Sequence, residues 1–384
     1  MKKLWFAAAL VIFAAGLFLT CTKKSESAPG ESVSTGSAPL VGIAMPESHV
    51  LRWTKDGASL KAFAESKGFQ AQDQYANAEQ NLQNTQIQNF LTQGAKVIIV
   101  GCVNDGVAAA VADAARDQVP VIAYDRIIPN SADYDYYITF NNFKVGQFQG
   151  QGIEKGLDLQ SATAENPKYI TLFAGSPTDG NAFFFYDGAM SVLNPYIQNG
   201  VLKVVGPYPE TSKDTANFQR IATENWQAPV AKTRMENLLN ADAKDITLDA
   251  VLAPNDTLAR AIIEACKADA KYAAKLPVIT GQDAEAASTA SIKDGGQYMT
   301  VFKDTTKLAE AAILLAEAAI NGQTPNIPGA VLASSIGLGS IGDTGRKIVQ
   351  AYLLDPVIVY QENWKDPVNA GFYSQDEINQ NNLM

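Results

Sequence analysis

Acidic and basic side chains follow apolar runs at several points of this sequence, and Asp125 with Arg126 is the clearest case. The run before this pair, residues 119–124, is typical of a buried parallel strand. Ligands of an open α/β sheet bind at the carboxyl ends of its strands. A guanidinium beside a carboxylate there donates and accepts hydrogen bonds in fixed directions. Asp125 and Arg126 are therefore candidates for a binding site. The alternative is that they form an ion pair at the strand end that only closes a turn.

The same pattern recurs after other apolar runs, and the repetition favours a binding site. The further candidates each carry a carboxylate, an amide or a cation: Arg52, Asp179, Asn181, Asn255, Asp283 and Lys303. Asp and Asn are also ordinary helix caps, an alternative that applies above all to Asp256 and Asp304 but does not explain the cations. Trp53 and Trp226 add flat apolar faces, although a buried tryptophan is more often part of a core. Together these groups match a ligand covered with hydroxyls, which both donate and accept.

The composition argues against several other kinds of site. The net charge of −10 and the lack of a dense basic patch make nucleic acid an unexpected partner. His49 is the only histidine, which excludes a multi-histidine zinc site and leaves any catalytic triad dependent on one surface-type residue. The glycine pattern of residues 337–342 comes too late in the chain for a dinucleotide-binding unit, so we interpret it as a loop. We therefore expect neither a metal nor an organic cofactor.

The first residues are typical of an export signal. Lys2 and Lys3 precede an apolar segment, residues 4–19, that is short for a membrane span. Cys21 follows as in a lipoprotein signal, residues 1–21, although Thr20 replaces the usual Gly or Ala. We expect acylation of Cys21, with a retained anchor or a plain secreted form as alternatives. Residues 22–38 are interpreted as a flexible linker. The protein is thus predicted to be periplasmic or on the cell surface, with this anchor as its only membrane contact.

The candidate residues can meet at one edge of a sheet only if strands and helices alternate along the chain. Apolar runs typical of strands occur at residues 40–45, 97–100, 119–124, 136–140, 169–174, 202–205, 250–253, 276–280 and 298–302. Helical periodicity lies between them and is clearest over residues 306–320. A chain of 384 residues with so many strands exceeds one sheet, so we predict an α/β fold of two doubly wound parallel-sheet lobes. Cys102 and Cys266 fall in different lobes and are expected to be buried free thiols, with a disulfide as the alternative.

Four short motifs in this chain are distinctive: Arg-Trp at 52–53, Tyr-Asp-Arg at 124–126, Gly-Ser-Pro at 175–177 followed by Asp179 and Asn181, and Gly-Gln-Asp at 281–283. They resemble the motifs of the xylose-binding and multiple-monosaccharide-binding proteins of bacterial ABC importers. Residues 182–190 and 301–305 are most similar to the multiple-sugar branch, and the resemblance extends over nearly the whole chain after the linker. It implies the type I periplasmic binding protein fold, in which two lobes joined by a three-stranded hinge close on a sugar.

The resemblance also implies roles for individual residues. Two tryptophans, Trp226 and Trp53, would cover the sugar ring, and its hydroxyls and ring oxygen would bond to Arg52, Asp125, Arg126, Asp179, Asn181, Asn255, Asp283 and Lys303. The first lobe would comprise residues 39–142 and 304–357, and the second residues 143–303 and 358–384. Crossings would fall near residues 142–143, 303–304 and 354–357. Two residues depart from the family: Asn141 replaces an Asp of the hinge motif, and Gly180 replaces a frequent Asn, which is expected to loosen the turn that directs Asn181.

The implied function is the capture of a monosaccharide, such as xylose, glucose or galactose, and its delivery by a monomeric protein to ABC transporter permease subunits. A sugar sensor that docks on a chemoreceptor or a histidine kinase remains an alternative with the same fold. A transcription regulator of the lac repressor type would need a DNA-binding helix-turn-helix where the export signal lies. A glycoside-processing enzyme would use two of Asp125, Asp179 and Asp283, but these carboxylates already serve as hydroxyl acceptors, so no catalytic residue is predicted.

Overall fold

Short strands alternate with longer helices along residues 38–381, the residues that this computed structural model describes. The strands are β1 (Leu40–Met45), β2 (Gln70–Tyr75), β3 (Val97–Val100), β4 (Val121–Tyr124), β5 (Tyr136–Phe140), β6 (Lys168–Leu172), β7 (Leu202–Val204), β8 (Ala250–Leu252), β9 (Val278–Ile279), β10 (Thr300–Phe302), β11 (Val331–Leu332), β12 (Gln350–Leu354) and β13 (Val357–Val359). The α-helices are α1 (Arg52–Ser66), α2 (Gln80–Thr92), α3 (Ala108–Arg116), α4 (Asn142–Leu157), α5 (Gly180–Gln198), α6 (Thr215–Ile221), α7 (Ala228–Asn240), α8 (Asp256–Ala268), α9 (Ala286–Lys293), α10 (Thr305–Asn321), α11 (Asp366–Asn369) and α12 (Gln375–Gln380).

Seven of these strands form one sheet in the order β11-β12-β5-β4-β3-β1-β2, and we call the part of the chain built on it the first lobe. Neighbouring strands are parallel except for the antiparallel pair β11 and β12. Helices α1 and α10 pack together and contact the sheet, as do α2 and α3. Because helices cover its faces, the central strands β1, β3 and β4 are buried along their whole length, which explains their continuous apolar sequence.

A second parallel sheet has the order β7-β6-β8-β9, and β10 pairs with β13 in a short antiparallel ladder. We call the part of the chain built on these strands the second lobe. The predicted α/β class with parallel sheets is confirmed, whereas the two antiparallel pairs were not predicted. The apolar runs also missed β2, β11, β12 and β13. In β2 only Ala71 is buried, since this strand lies at the edge of its sheet.

The chain passes between the lobes after β5, after β10 and after β12. Asn141 and Asp304 share the same backbone angles, φ −70° and ψ 86°, and each caps the helix that follows it. The side chain of Asn141 accepts a hydrogen bond from the amide of Lys144. The asparagine at this crossing therefore makes the capping bond that an aspartate would make. The residue limits predicted for the lobes stay a prediction.

Helices α4 and α5 of the second lobe pack backbone against backbone. A Cβ atom added at Gly146 would lie 2.0 Å from the carbonyl oxygen of Phe185, and one added at Gly188 would lie 2.1 Å from that of Phe143. Both distances are far below van der Waals contact, so only glycine allows the helices to approach this closely. This contact places α5, which carries Asn181 and Phe185, against the helix that begins at the first crossing.

Cys102 and Cys266 are buried free thiols, as predicted. Burial raises the pKa of each thiol to about 12. The predicted signal, Cys21 and all of the predicted linker except residue 38 lie outside the described residues. Between residues 38 and 381 the structure contains no helix with the length and apolar character needed to cross a bilayer.

Candidate functional site

A narrow cleft with an internal volume of about 30 Å³ lies between the lobes at the carboxyl ends of several strands. The cleft brings together all ten residues predicted from the sequence: Arg52, Trp53, Asp125, Arg126, Asp179, Asn181, Trp226, Asn255, Asp283 and Lys303. Its lining also contains four residues that were not predicted: Glu47, Val50, Phe185 and Gln282. Glu47 comes two residues after the end of β1, so the strand-end pattern could have identified it.

Asp125 occupies a sharp turn directly after β4. Its φ of 61° is left-handed, a conformation that Asp and Asn tolerate better than most residues. The turn is held because the carbonyl oxygen of Asp125 accepts hydrogen bonds from Tyr137 Oη at 2.8 Å and Thr139 Oγ1 at 2.9 Å. The carboxylate is thereby directed into the cleft, where it meets Arg52 at 3.1 Å.

The guanidinium of Arg52 lies between three carboxylates near the start of α1. It contacts Asp56 at 2.7 Å and Asp125 at 3.1 Å, and Asp283 of the second lobe lies 3.8 Å away. Burial alone would lower the pKa of Arg52, but these carboxylates raise it above its ordinary value. Conversely, burial alone would raise the pKa of Asp125, but Arg52, Lys303 and Arg126 hold it below its ordinary value. Both groups are therefore charged at neutral pH.

Arg126 connects the two lobes through a pair of carboxylates. Its Nη2 lies 3.1 Å from Glu47 of the first lobe, and its Nε lies 3.0 Å from Asp179 of the second lobe. Asp179 also accepts a hydrogen bond from the indole Nε1 of Trp226 at 3.2 Å. The guanidinium carbon of Arg126 is 5.0 Å from the ring centre of Trp53, and that of Arg52 is 4.7 Å from it. The cleft thus combines fixed charges with two indole rings.

Asp179 and Asn181 begin α5 and reach across the cleft. Asp179 caps the helix by accepting from the amide of Asn181 at 2.9 Å. Asn181 then donates to the carbonyl oxygen of Asp125 at 2.7 Å and accepts from Asn142 at 2.8 Å. The cap on the Asn181 amide and the two side-chain bonds hold Asn181 in this position. That Gly180 loosens the turn stays a prediction.

The remaining predicted residues line the second-lobe side of the cleft. Asn255 caps α8 by accepting a hydrogen bond from the amide of Leu258 at 3.0 Å. It is therefore both a helix cap and a residue of the cleft. Lys303, at the second crossing, lies 2.9 Å from Asp283 and 5.4 Å from the ring centre of Phe185. Asp256 is not a cap but the first residue of α8, and it is buried behind the cleft.

Carboxylates slightly outnumber cations in the cleft: four of them, Glu47, Asp125, Asp179 and Asp283, face Arg52, Arg126 and Lys303. Such a lining offers many donors and acceptors without a strong net charge, which suits a neutral ligand rich in hydroxyls. Among residues 38–381 no cluster of three or more His, Cys, Asp or Glu side chains is arranged to hold a metal ion.

Comparison with known proteins gives a consistent result. Residues 41–324 match the family described as the periplasmic binding protein domain. The chain is 39% identical over 342 residues to the multiple sugar-binding periplasmic receptor ChvE of Rhizobium radiobacter, covering 88% of this chain and 92% of the receptor. It is 34% identical over 340 residues to the D-xylose-binding periplasmic protein of Escherichia coli (strain K12), covering 88% and 92%.

Solved structures agree with these relatives. An ABC transporter solute binding protein from Clostridium phytofermentans with bound β-D-glucose superimposes with a TM-score of 0.78 at 35% identity, covering 88% of this chain and 99% of that one. A carbohydrate transporter solute binding protein from Chloroflexus aurantiacus, in complex with D-glucose, superimposes with a TM-score of 0.77 at 32% identity, covering 88% and 97%. Both similarities extend over both lobes.

Proposed function

Because the chain belongs to the periplasmic binding protein family, we propose that it captures a monosaccharide between its lobes and delivers it to an ABC transporter permease. The observation that carries this proposal is the cleft itself. Its ten predicted residues come from both lobes and from sequence positions up to 251 apart, yet they surround one buried space. Donors, acceptors and indole rings all line that space, as recognition of a polyhydroxylated ring requires.

The ligand we propose is a neutral aldopyranose such as glucose, xylose or galactose. Relatives named for multiple sugars and D-xylose, and the glucose-bound structures, support this class. The charged and amide residues of the cleft would bond the sugar hydroxyls and ring oxygen, and Trp226 with Trp53 would cover the ring. Glu47 and Gln282 extend this set of polar groups, while Phe185 and Val50 extend its apolar part.

A thermal-shift screen tests this function, since a ligand raises apparent stability by mass action. We expect D-glucose, D-xylose or D-galactose to raise the melting temperature, while sorbitol, which has the hydroxyls but no ring, leaves it unchanged. Asp179→Ala should remove the shift. A wild-type protein that responds to none of these sugars would refute the proposal.

The relatives are receptors, and we propose that this protein performs no chemistry on its ligand. The alternative of a glycoside-processing enzyme would use two of Asp125, Asp179 and Asp283. All three carboxylates lie within 3.1 Å of a cation: Asp125 pairs with Arg52, Asp179 with Arg126 and Asp283 with Lys303. Incubation with aryl glycosides tests this point: turnover that Asp179→Ala abolishes would establish catalysis.

We further propose that the protein acts outside the cytoplasm as a monomer, anchored by a lipid on Cys21. Its partners would be the permease subunits, with a chemoreceptor or sensor kinase as the alternative. Metabolic labelling with palmitate, compared between wild type and Cys21→Ser, tests the anchor. Sugar uptake and sugar-induced transcription, measured in a deletion strain, separate transport from sensing.

A further inference from the structure

His49 lies at the edge of the cleft and contacts both lobes, although it does not line the cleft. Its Nε2 lies 3.0 Å from Glu47 Oε2 on its own lobe and 3.1 Å from the carbonyl oxygen of Asn225 on the other. Gln227 Nε2, also of the second lobe, is 3.4 Å away. With the ring proton on Nε2, this nitrogen donates to both oxygens and so joins Glu47 to the second lobe.

The partner segment on the second lobe has an unusual backbone. Asn225 and Trp226 both have left-handed φ angles, 49° and 54°. This conformation is costly for a tryptophan and persists only when its surroundings hold it. The amide of Asn225 is held by Ser176 Oγ at 3.2 Å, and the carbonyl then points to His49. The same turn places the Trp226 ring in the cleft.

A continuous chain of contacts links His49 to the proposed sugar site. Glu47 is buried, and its two carboxylate oxygens have different partners: Oε1 meets Arg126 at 3.1 Å and Oε2 meets His49. The chain therefore runs from Arg126 through Glu47 and His49 to the segment that carries Trp226. Glu47 therefore contacts both a cation of the cleft and the residue that contacts the second lobe.

We propose that Glu47 and His49 form a closing contact that holds the lobes together and sets how long the ligand is retained. Glu47 acts as a positioning residue for both Arg126 and His49, and His49 acts on the closed state alone. This inference rests on the proposed function for its ligand. Because His49 does not line the cleft, its loss changes the retention of every sugar by the same factor.

Stopped-flow tryptophan fluorescence with D-glucose and D-xylose tests this inference. We expect His49→Ala to raise the dissociation rate about three- to tenfold for both sugars, the effect of losing one partly exposed hydrogen bond, with the association rate unchanged. His49→Gln retains a donor near the Nε2 position and should restore a slow rate. Leu51→Ala, an exposed residue of the same loop, is the matched control and should match wild type. An unchanged dissociation rate in His49→Ala overturns the proposal, as does a change that differs between the sugars.

A second measurement separates this inference from the proposed function. If the wild-type protein binds no sugar, the proposed function fails, and the closing contact is then tested without ligand. Small-angle scattering should give ligand-free His49→Ala a larger radius of gyration than wild type and His49→Gln. Equal radii in the three proteins overturn the closing contact.

Discussion

Single residues in this cleft serve both the fold and the proposed site. The carbonyl group of Asp125 fixes a left-handed turn through Tyr137 and Thr139, while its carboxylate pairs with Arg52. Asp179 caps α5 with one oxygen and faces Arg126 with the other. Helix capping and ligand binding are therefore not alternatives at these positions. One carboxylate has enough acceptor sites for both.

We predict that Asp125→Asn and Arg126→Met each weaken sugar binding by about 2–5 kcal/mol. The first removes a buried carboxylate that holds Arg52, and the second leaves Glu47 and Asp179 buried without the cation that they share. Asparagine tolerates the left-handed turn, so the first change removes the charge without removing the backbone geometry. Isothermal titration calorimetry with the best sugar of the thermal-shift screen measures the loss. Glu264→Gln, which breaks an exposed pair with Lys232, is the control and should change affinity by less than about 0.5 kcal/mol. Near wild-type affinity in both cleft variants would contradict these roles.

The charge of the cleft also predicts selectivity against anionic sugars. Carboxylates outnumber cations in its lining, and each of the three cations already lies within 3.1 Å of a carboxylate. A phosphate would have to enter without a free cation, and like-charge contacts cost several kcal/mol. We expect glucose 6-phosphate to bind at least about a hundredfold more weakly than glucose in a competition titration. Comparable affinities would show that the ion pairs rearrange.

At the scale of elements, the contact between α4 and α5 positions one side of the site. Gly146 and Gly188 allow carbonyl groups of the facing helix to approach where any Cβ would collide. Helix α5 carries Asn181 and Phe185 into the cleft, so the spacing of the two helices determines where these side chains lie. Helix α5 thus contributes to the site through its packing against α4 as well as through the side chains that it carries.

We predict that Gly146→Ala lowers the free energy of unfolding by about 1–3 kcal/mol, since the methyl group forces the helices apart. The same shift should move Asn181 and weaken sugar binding. Urea denaturation and calorimetry measure the two effects. Gly339→Ala is the control, because a Cβ there would lie 3.7 Å from its nearest neighbour and should be tolerated. Unchanged stability in Gly146→Ala would mean that the helices adjust without cost.

The sequence predicted elements best among the interior strands of the first sheet. The limits of β1, β3 and β5 match the apolar runs, and α10 extends one residue beyond residues 306–320 at each end. Strand β2 was missed because its edge position permits glutamine at alternate residues. The ten site residues could be named for two reasons. Polar residues recur after the apolar runs, and the motifs resemble those of a known family. Glu47 was overlooked, and the contact between His49 and Asn225 could not be predicted, since it joins positions 176 residues apart through a backbone carbonyl.

At the scale of the whole molecule, polar contacts span the cleft. Arg126 meets Asp179 at 3.0 Å, and Asn181 donates to the carbonyl of Asp125 at 2.7 Å. Three crossings join the lobes, and two of them have the same backbone angles at their capping residues. A ligand that bonds both lobes has a higher affinity for the closed arrangement than for the open one, and this difference in affinity stabilises the closed arrangement.

We therefore predict that D-glucose, or the best sugar of the thermal-shift screen, lowers the radius of gyration measured by small-angle scattering. The expected reason is a shift from open to closed molecules. Asp179→Ala removes an acceptor of the second lobe and should leave the radius unchanged when the same sugar is added. A wild-type radius that stays constant at saturating sugar would show that closure is not coupled to binding.

The route of the chain through its two lobes has a consequence for proteolysis. Strand β12 lies beside β5 in the first sheet, paired over five residues, although almost the whole second lobe separates them in sequence. A single cleavage between Asn141 and Asn142 therefore produces two fragments that do not correspond to the two lobes, since the longer fragment retains a strand inside the sheet of the shorter one. We expect the nicked protein to migrate as one species on gel filtration and to separate only in denaturant. The strand order therefore predicts that the two fragments stay associated after one cut.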